Sequence, residues 1–217
     1  MNKQDIFPIG IGTWKIDCEN FKEDLYSLLY SYYRGQNYLS LYMLYNNGEV
    51  VKKISEFVAC VDRDKLFINV NLEPTIKKVS DIEKQLDDYL SILHLDYVDS
   101  LQLHSPFYSE IPLLDVYQEI KRLVLVGKVR YIGISNVHLE QLKEINEKVN
   151  IDFFEGVYNL ECKYYEDSGV IDFCRKNHIQ FIAYQTLRRN RTAKHNYAIL
   201  VELAQKYEKT QNQIILN

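Results

Sequence analysis

The chain has 217 residues, 26 Lys and Arg against 30 Asp and Glu, and a formal net charge of −4. That balance excludes the basic surface by which nucleic-acid and anionic-membrane binders are recognised, and no apolar run approaches the roughly 20 residues of a bilayer span. The start, Met1 to Asp5, lacks an apolar signal stretch, and Cys18, Cys60, Cys162 and Cys174 are scattered without a CxxC, so they read as free thiols in a reducing cytoplasm.

Strand and helix periodicities alternate along the whole chain. Residues 9–14 read as a first strand bounded by Pro8. Residues 21–33 read as a helix with Phe21, Leu25, Leu28, Leu29 and Tyr32 on one face and Asn20 as its N-cap. A strand over 38–42 and a helix over 49–61 follow, the helix carrying Val50, Ile54, Phe57 and Val58 on its apolar stripe. The third strand spans 66–72, stopped by Pro74, and the third helix 80–93, opened by a Ser80/Glu83 capping box. The fourth strand covers 97–103, ahead of Pro106, and the fourth helix 113–126. Strand 129–135, helix 138–149, strand 153–160, helix 170–177, strand 179–187 and helix 197–207 continue the pattern, and 210–216 opens one more helix.

Seven strand–helix units without a long linker imply one α/β domain over residues 1–217, its parallel strands wrapped by helices. A doubly wound open sheet and a (β/α)8 TIM-type barrel both satisfy that pattern. No GxGxxG follows the first strand, which argues against a dinucleotide fingerprint of the Rossmann kind. The expectation is therefore an incomplete barrel of seven units with the eighth strand missing. Such a barrel has open edges on its first and seventh strands, which invite pairing. A C-terminal truncation, a second copy or partner protein at the open edge, and a rearranged C-terminal segment are the accounts open at this point.

The most informative stretch is Gly127-Lys128-Val129-Arg130-Tyr131-Ile132-Gly133-Ile134-Ser135-Asn136. Gly127 suits the position just past a helix, where a left-handed backbone is cheap only without a Cβ. The β-branched and aromatic run is a strand. Ser135 and Asn136 then fall at its C-terminal tip, the end at which barrel enzymes keep their chemistry. His94, His138, His178 and His195 have no ligand-like spacing, so no metal site is expected.

Several segments in register resemble the aldo/keto reductase family. Gly10-Ile11-Gly12-Thr13-Trp14 resembles its opening strand and Tyr45-Asn46-Asn47-Gly48-Glu49 its second strand-to-helix loop. Leu66 to Leu72, Leu101-Gln102-Leu103-His104-Ser105-Pro106, Gly127 to Asn136, Tyr158-Asn159-Leu160 and Ile182-Ala183-Tyr184 resemble the later strands. The resemblance implies the (β/α)8 fold and carbonyl reduction with NADPH, hydride passing to the carbonyl carbon while a tyrosine protonates its oxygen. It places that tyrosine at Tyr45 and the carbonyl-orienting histidine at His104. The aspartate and lysine that assist the tyrosine fall on Ser40 and Asn71, so two of the four catalytic positions are altered. Of the groups that hold the nicotinamide carboxamide, Ser135 and Asn136 are present, and the glutamine falls on Glu155. Tyr184 matches the aromatic that stacks on nicotinamide, and Trp14 the aromatic of the substrate pocket. The family's eighth strand and following helix, which grip the adenosine phosphates, have no counterpart, so NADPH binding is expected to be weakened. Arg188, Arg189 and Arg191 make a basic run that could meet a pyrophosphate or simply be a solvated loop.

Read as single residues, Tyr45 is also an aromatic packing at a loop edge, His104 a core histidine, Trp14 plain core, and Asp99 a structural carboxylate. The functional expectation is a cytoplasmic family relative that keeps the scaffold with weak or no reductase activity. A binding or regulatory role is open to it, as in the family's potassium-channel β subunits and the modifier subunit of glutamate–cysteine ligase. The alternative is an active NADPH-dependent reductase of small aldehydes or ketones, with Tyr45 as proton donor and His104 orienting the carbonyl.

Overall fold

The computed structural model describes residues 2–104, 106 and 109–217. Seven parallel strands form one curled sheet: β1 (Ile11–Gly12), β2 (Tyr38–Tyr42), β3 (Phe67–Leu72), β4 (Val98–Leu103), β5 (Val129–Ser135), β6 (Phe153–Val157) and β7 (Gln180–Tyr184). They pair in chain order. Five longer helices return the chain after the first five strands: α1 (Phe21–Tyr33), α2 (Glu49–Val58), α3 (Ser80–Leu93), α4 (Leu113–Leu125) and α5 (Leu139–Val149). Shorter ones follow: α6 (Tyr164–Asp167), α7 (Val170–Lys176), α8 (Arg191–Lys194), α9 (Ala198–Lys206) and α10 (Gln211–Ile215). This is the incomplete α/β barrel expected from the alternation, with β1 and β7 as its edges among the described residues. Among those residues no helix is long and apolar enough to cross a membrane.

The strands alternate with period two, and the two faces do different work. Outward positions are aliphatic. Leu39, Leu41, Ile68, Val70, Leu101, Leu103, Ile132 and Ile134 are buried against Ile54 and Phe57 of α2, Ile82 and Leu86 of α3, and Ile120 of α4. Each such side chain contributes roughly 1.5–3 kcal/mol on burial. Inward positions are aromatic at the base and polar above it. Tyr38, Phe67 and Phe153 fill the base with Ile6 and Tyr131 against them. Lys3 lies over the Tyr131 and Phe153 rings and pairs with Asp152, so the N-terminal segment covers that end. Asp99 is the outward exception. It is fully buried, accepts from Ile68 N at 2.9 Å, and pairs with Arg63 at 2.7 Å and Arg130 at 3.1 Å, a structural carboxylate.

Local signals differ from expectation at several points. β1 is two residues long rather than six, because the chain turns at Thr13, whose carbonyl accepts from Ile16 N at 3.2 Å and whose hydroxyl donates to Ser40 O at 2.8 Å. β6 stops at Val157, and Asn159 and Cys162 form a turn instead of more strand. β7 stops at Tyr184 because Gln185 turns left-handed, with φ of 55°. The helix expected over 49–61 ends at Val58. The Ser80/Glu83 capping box does not form. Val79 holds the cap position with helical φ and ψ, Glu83 reaches Lys128 at 2.8 Å, and the Asp81 carboxylate accepts from Lys77 N and Lys78 N instead. Asn20 sits at the start of α1 without capping it. The charged Asp17 carboxylate, a stronger acceptor, takes the Glu19 and Asn20 amides. Gly127 does take the left-handed conformation just past α4, with φ of 83°.

Candidate active site

Above the aromatic base the inward positions of four strands carry Ser40, Asn69, Asn71, Gln102 and Glu155. Register brings them level, Ser40 beside Asn69 and Asn71 beside Gln102. They close into a ring of hydrogen bonds. Asn71 Nδ2 donates to Ser40 Oγ at 3.1 Å and to Leu41 O at 3.0 Å. Gln102 Nε2 donates to Asn71 Oδ1 at 2.8 Å and to the Glu155 carboxylate. Asn69 Nδ2 reaches both Glu155 and Ser40 at 3.4 Å. Gly133 on β5 makes this possible: a Cβ there would lie 2.8 Å from Ser100 Oγ and 2.9 Å from Gln102 Oε1. Burial pushes the Glu155 carboxyl up to about 7, with the Gln102 and Asn69 hydrogen bonds opposing part of that rise.

A cavity of about 660 Å³ opens above the ring at the C-terminal ends of the strands. A groove of similar size, about 650 Å³, lies near Tyr32, Asn37, Asp62 and Lys65 at the strands' N-terminal end and gathers no comparable set. The upper cavity brings together all nine candidates from the sequence: Trp14, Ser40, Tyr45, Asn71, His104, Ser135, Asn136, Glu155 and Tyr184. Ser105, part of the motif around His104, lies outside the described residues.

Tyr45 follows β2 in a turn whose Asn46, Asn47 and Gly48 are all left-handed, and α2 starts directly after it. Its ring meets Tyr42 edge-on with centroids 5.2 Å apart, and Tyr42 stacks on His104 at 4.0 Å. The Tyr45 hydroxyl is pushed above its ordinary value by burial first and the Glu155 charge second. Burial lowers His104, so its ring is neutral at pH 7. Asn71 is only 4% exposed and bonded on both sides, so it presents an amide, without charge, to the cavity that Tyr45 also lines.

Ser135 and Asn136 arrive at the tip of β5, Asn136 left-handed at φ of 58°. Ser135 Oγ donates to Leu103 O at 2.8 Å, and Asn136 Nδ2 to His104 O at 3.0 Å, so this pair fixes the strand end that carries His104. Tyr184 on β7 donates to Asn136 Oδ1 at 2.8 Å. Trp14 stands at the cavity mouth, 41% exposed, with two cations over its ring: Lys15 Nζ lies 4.3 Å and Arg189 Cζ 3.9 Å from the ring centre. This stack joins the loops after β1 and β7, the two edges of the sheet. Arg188 pairs with Glu161, and Arg191 begins α8.

Sequence reasoning missed Asn69, Gln102 and Lys15. The first two were signalled by polar residues recurring every second position in otherwise aliphatic strands. Nothing local signalled that Lys15 and Arg189 would meet on Trp14. Among the described residues no cluster of three or more His, Cys, Asp or Glu could hold a metal ion.

The model of the aldo/keto reductase family matches residues 8–214. The chain is 26% identical to the NAD(P)H-dependent D-xylose reductase of Scheffersomyces stipitis, over 84% of its own length and 64% of that enzyme's, less than two thirds of it. It is 28% identical to aldo-keto reductase family 1 member A1 of Gallus gallus, over 99% of this chain and 74% of that one. The crystal structure of the thermostable aldo-keto reductase Tm1743 with the inhibitor epalrestat superposes with a TM-score of 0.88, at 30% identity, covering 96% of this chain and 79% of that one. A match over nearly the whole chain, joined to a curled parallel sheet with its polar cavity at the strands' C-terminal ends, makes this protein a member of the aldo/keto reductase family.

Proposed function

We propose that this chain binds NADPH in the upper cavity and reduces carbonyls weakly, so that nucleotide binding, with a regulatory role open to it, outlasts efficient turnover. The observation that carries the weak-turnover half is the Ser40–Asn71 pair. These two stand where the family resemblance implies an aspartate and a lysine, and they bond to each other at 3.1 Å. A free tyrosine has a pKa of about 10. An adjacent ammonium would ease ionisation of Tyr45, whereas burial and Glu155 raise its pKa here.

The nucleotide half rests on donor chemistry. Asn136 uses one N–H and one lone pair internally and keeps one of each; Ser135 Oγ keeps its lone pairs. Those groups suit a carboxamide, the Tyr184 ring offers a flat face, and Lys15 and Arg189 at the mouth suit phosphates. The S. stipitis relative is itself named as NAD(P)H-dependent. When bound, the nucleotide supplies the hydride. Tyr45 then donates its hydroxyl proton to the carbonyl oxygen, the neutral His104 ring orients that oxygen, and Trp14 screens the mouth from water.

An efficient reductase is the second reading, favoured by Tyr45 and His104 lining one cavity with Trp14. NADPH-linked reduction of short-chain and aromatic aldehydes separates the two. We expect slow turnover, cut about tenfold by Tyr45→Phe, below the ~10²–10⁴ usual for general acid catalysis. A kcat near the enzyme median of about 10 s⁻¹ would favour the second reading. A slow rate indifferent to Tyr45→Phe would remove this tyrosine from the chemistry.

A further inference from the structure

We infer that Glu155 makes this cavity favour the oxidised nicotinamide nucleotide, whose ring is cationic, over the reduced one, whose ring is neutral; the inference rests on the nucleotide-binding reading above. The geometry is specific. Glu155 lies beside Ser135 in the β5–β6 register and lines the same cavity as Asn136 and Tyr184. It is the one carboxylate among the described residues lining that cavity. Gln102 and Asn69 hold it by hydrogen bonds from below, so it cannot swing out to water without breaking the ring.

No cation contacts this carboxylate among the described residues. From the β2 side it faces the hydroxyls of Tyr38 and Tyr45, from β7 that of Tyr184, and at the tip of β4 stands the neutral His104. The cations at the mouth, Lys15 and Arg189, lie over the Trp14 ring. A carboxylate only partly exposed at a cavity wall and without a counter-charge is costly, and it keeps its proton to unusually high pH. A cationic ring in the cavity supplies the missing partner, and a neutral ring does not. The two nucleotides differ only in the nicotinamide ring, so comparing their affinity ratio with the Glu155 charge present and absent isolates that charge. A single charge pair several Å apart in a site of intermediate dielectric is worth about tenfold in affinity ratio. Binding of the oxidised form also draws the proton from Glu155, so it releases protons near neutral pH, whereas binding of the reduced form does not.

The test is calorimetric titration of the full chain with NADP⁺ and with NADPH at pH 8 and pH 5.5, for the native protein and Glu155→Gln. At pH 8 the native chain should bind NADP⁺ more tightly relative to NADPH, and Glu155→Gln should reduce that ratio about tenfold. At pH 5.5, with Glu155 protonated, the native ratio should fall to that of the variant, whose own ratio stays constant with pH. The native pH comparison stands even if the variant folds poorly. Equal ratios in all four conditions, with both nucleotides bound, would overturn the inference and leave the nucleotide reading intact. If neither nucleotide binds the native chain up to millimolar, the reading is overturned, and the inference with it.

Discussion

Ser40→Asp combined with Asn71→Lys should raise kcat/KM for aldehyde reduction about 100-fold, the lower bound of what a positioned general acid contributes. The two side chains already face each other, with Asn71 Nδ2 3.1 Å from Ser40 Oγ, so the new carboxylate and ammonium would be placed to pair. They need to change together. An ammonium at a site only 4% exposed, without its carboxylate, would lose its proton or destabilise the fold. As a pair they put a positive charge near the Tyr45 hydroxyl, which burial and Glu155 now push the wrong way. Steady-state kinetics against pH checks this, because the gain should come with a lower apparent pKa for the tyrosine. A correctly folded double variant with unchanged kcat/KM would place the limiting deficit outside these two positions.

Glu155→Gln should stabilise the fold at pH 8 by on the order of 2–3 kcal/mol and leave it nearly unchanged at pH 4.5. The sign follows from proton linkage. Burial raises this carboxyl from 4.5 to about 7, so the folded state holds the proton more tightly than the unfolded state. Its contribution is fully present below about 4.5 and is lost as pH rises through 7. The interval corresponds to roughly 3 kcal/mol. A glutamine keeps the acceptor for Gln102 and carries no charge, so the variant escapes the loss. Urea unfolding of both proteins at pH 4.5, 6 and 8 measures the divergence. Parallel stability curves would mean that Glu155 is better solvated than its position implies, and would weaken the case for its role in nucleotide choice.

The parts legible in the sequence are those encoded locally. The helices expected over 21–33 and 80–93 match α1 and α3 at both ends, the first through its apolar face, and Gly127 marked the end of α4 through its left-handed backbone. The Ser80/Glu83 pair misled because Glu83 has a stronger use for its charge, in bonds to Lys128 and Arg122. β1 was overextended because the period-two pattern continues past the residue at which the chain turns. In the site, motif spacing brought nine residues to one cavity without revealing what joins them. The ring is closed by Gln102 and Glu155, 53 positions apart, meeting across the barrel interior. The stack of Lys15 and Arg189 on Trp14 likewise depends on how the two sheet edges are brought near each other, which no local pattern specifies.

The most direct test of the account is an equilibrium titration of the full chain with NADPH, followed through Trp14, the single tryptophan, at the cavity mouth. The account predicts saturable quenching at micromolar nucleotide, because the carboxamide and phosphate contacts proposed for Ser135, Asn136, Lys15 and Arg189 are all in place. No saturable change up to millimolar NADPH would contradict it.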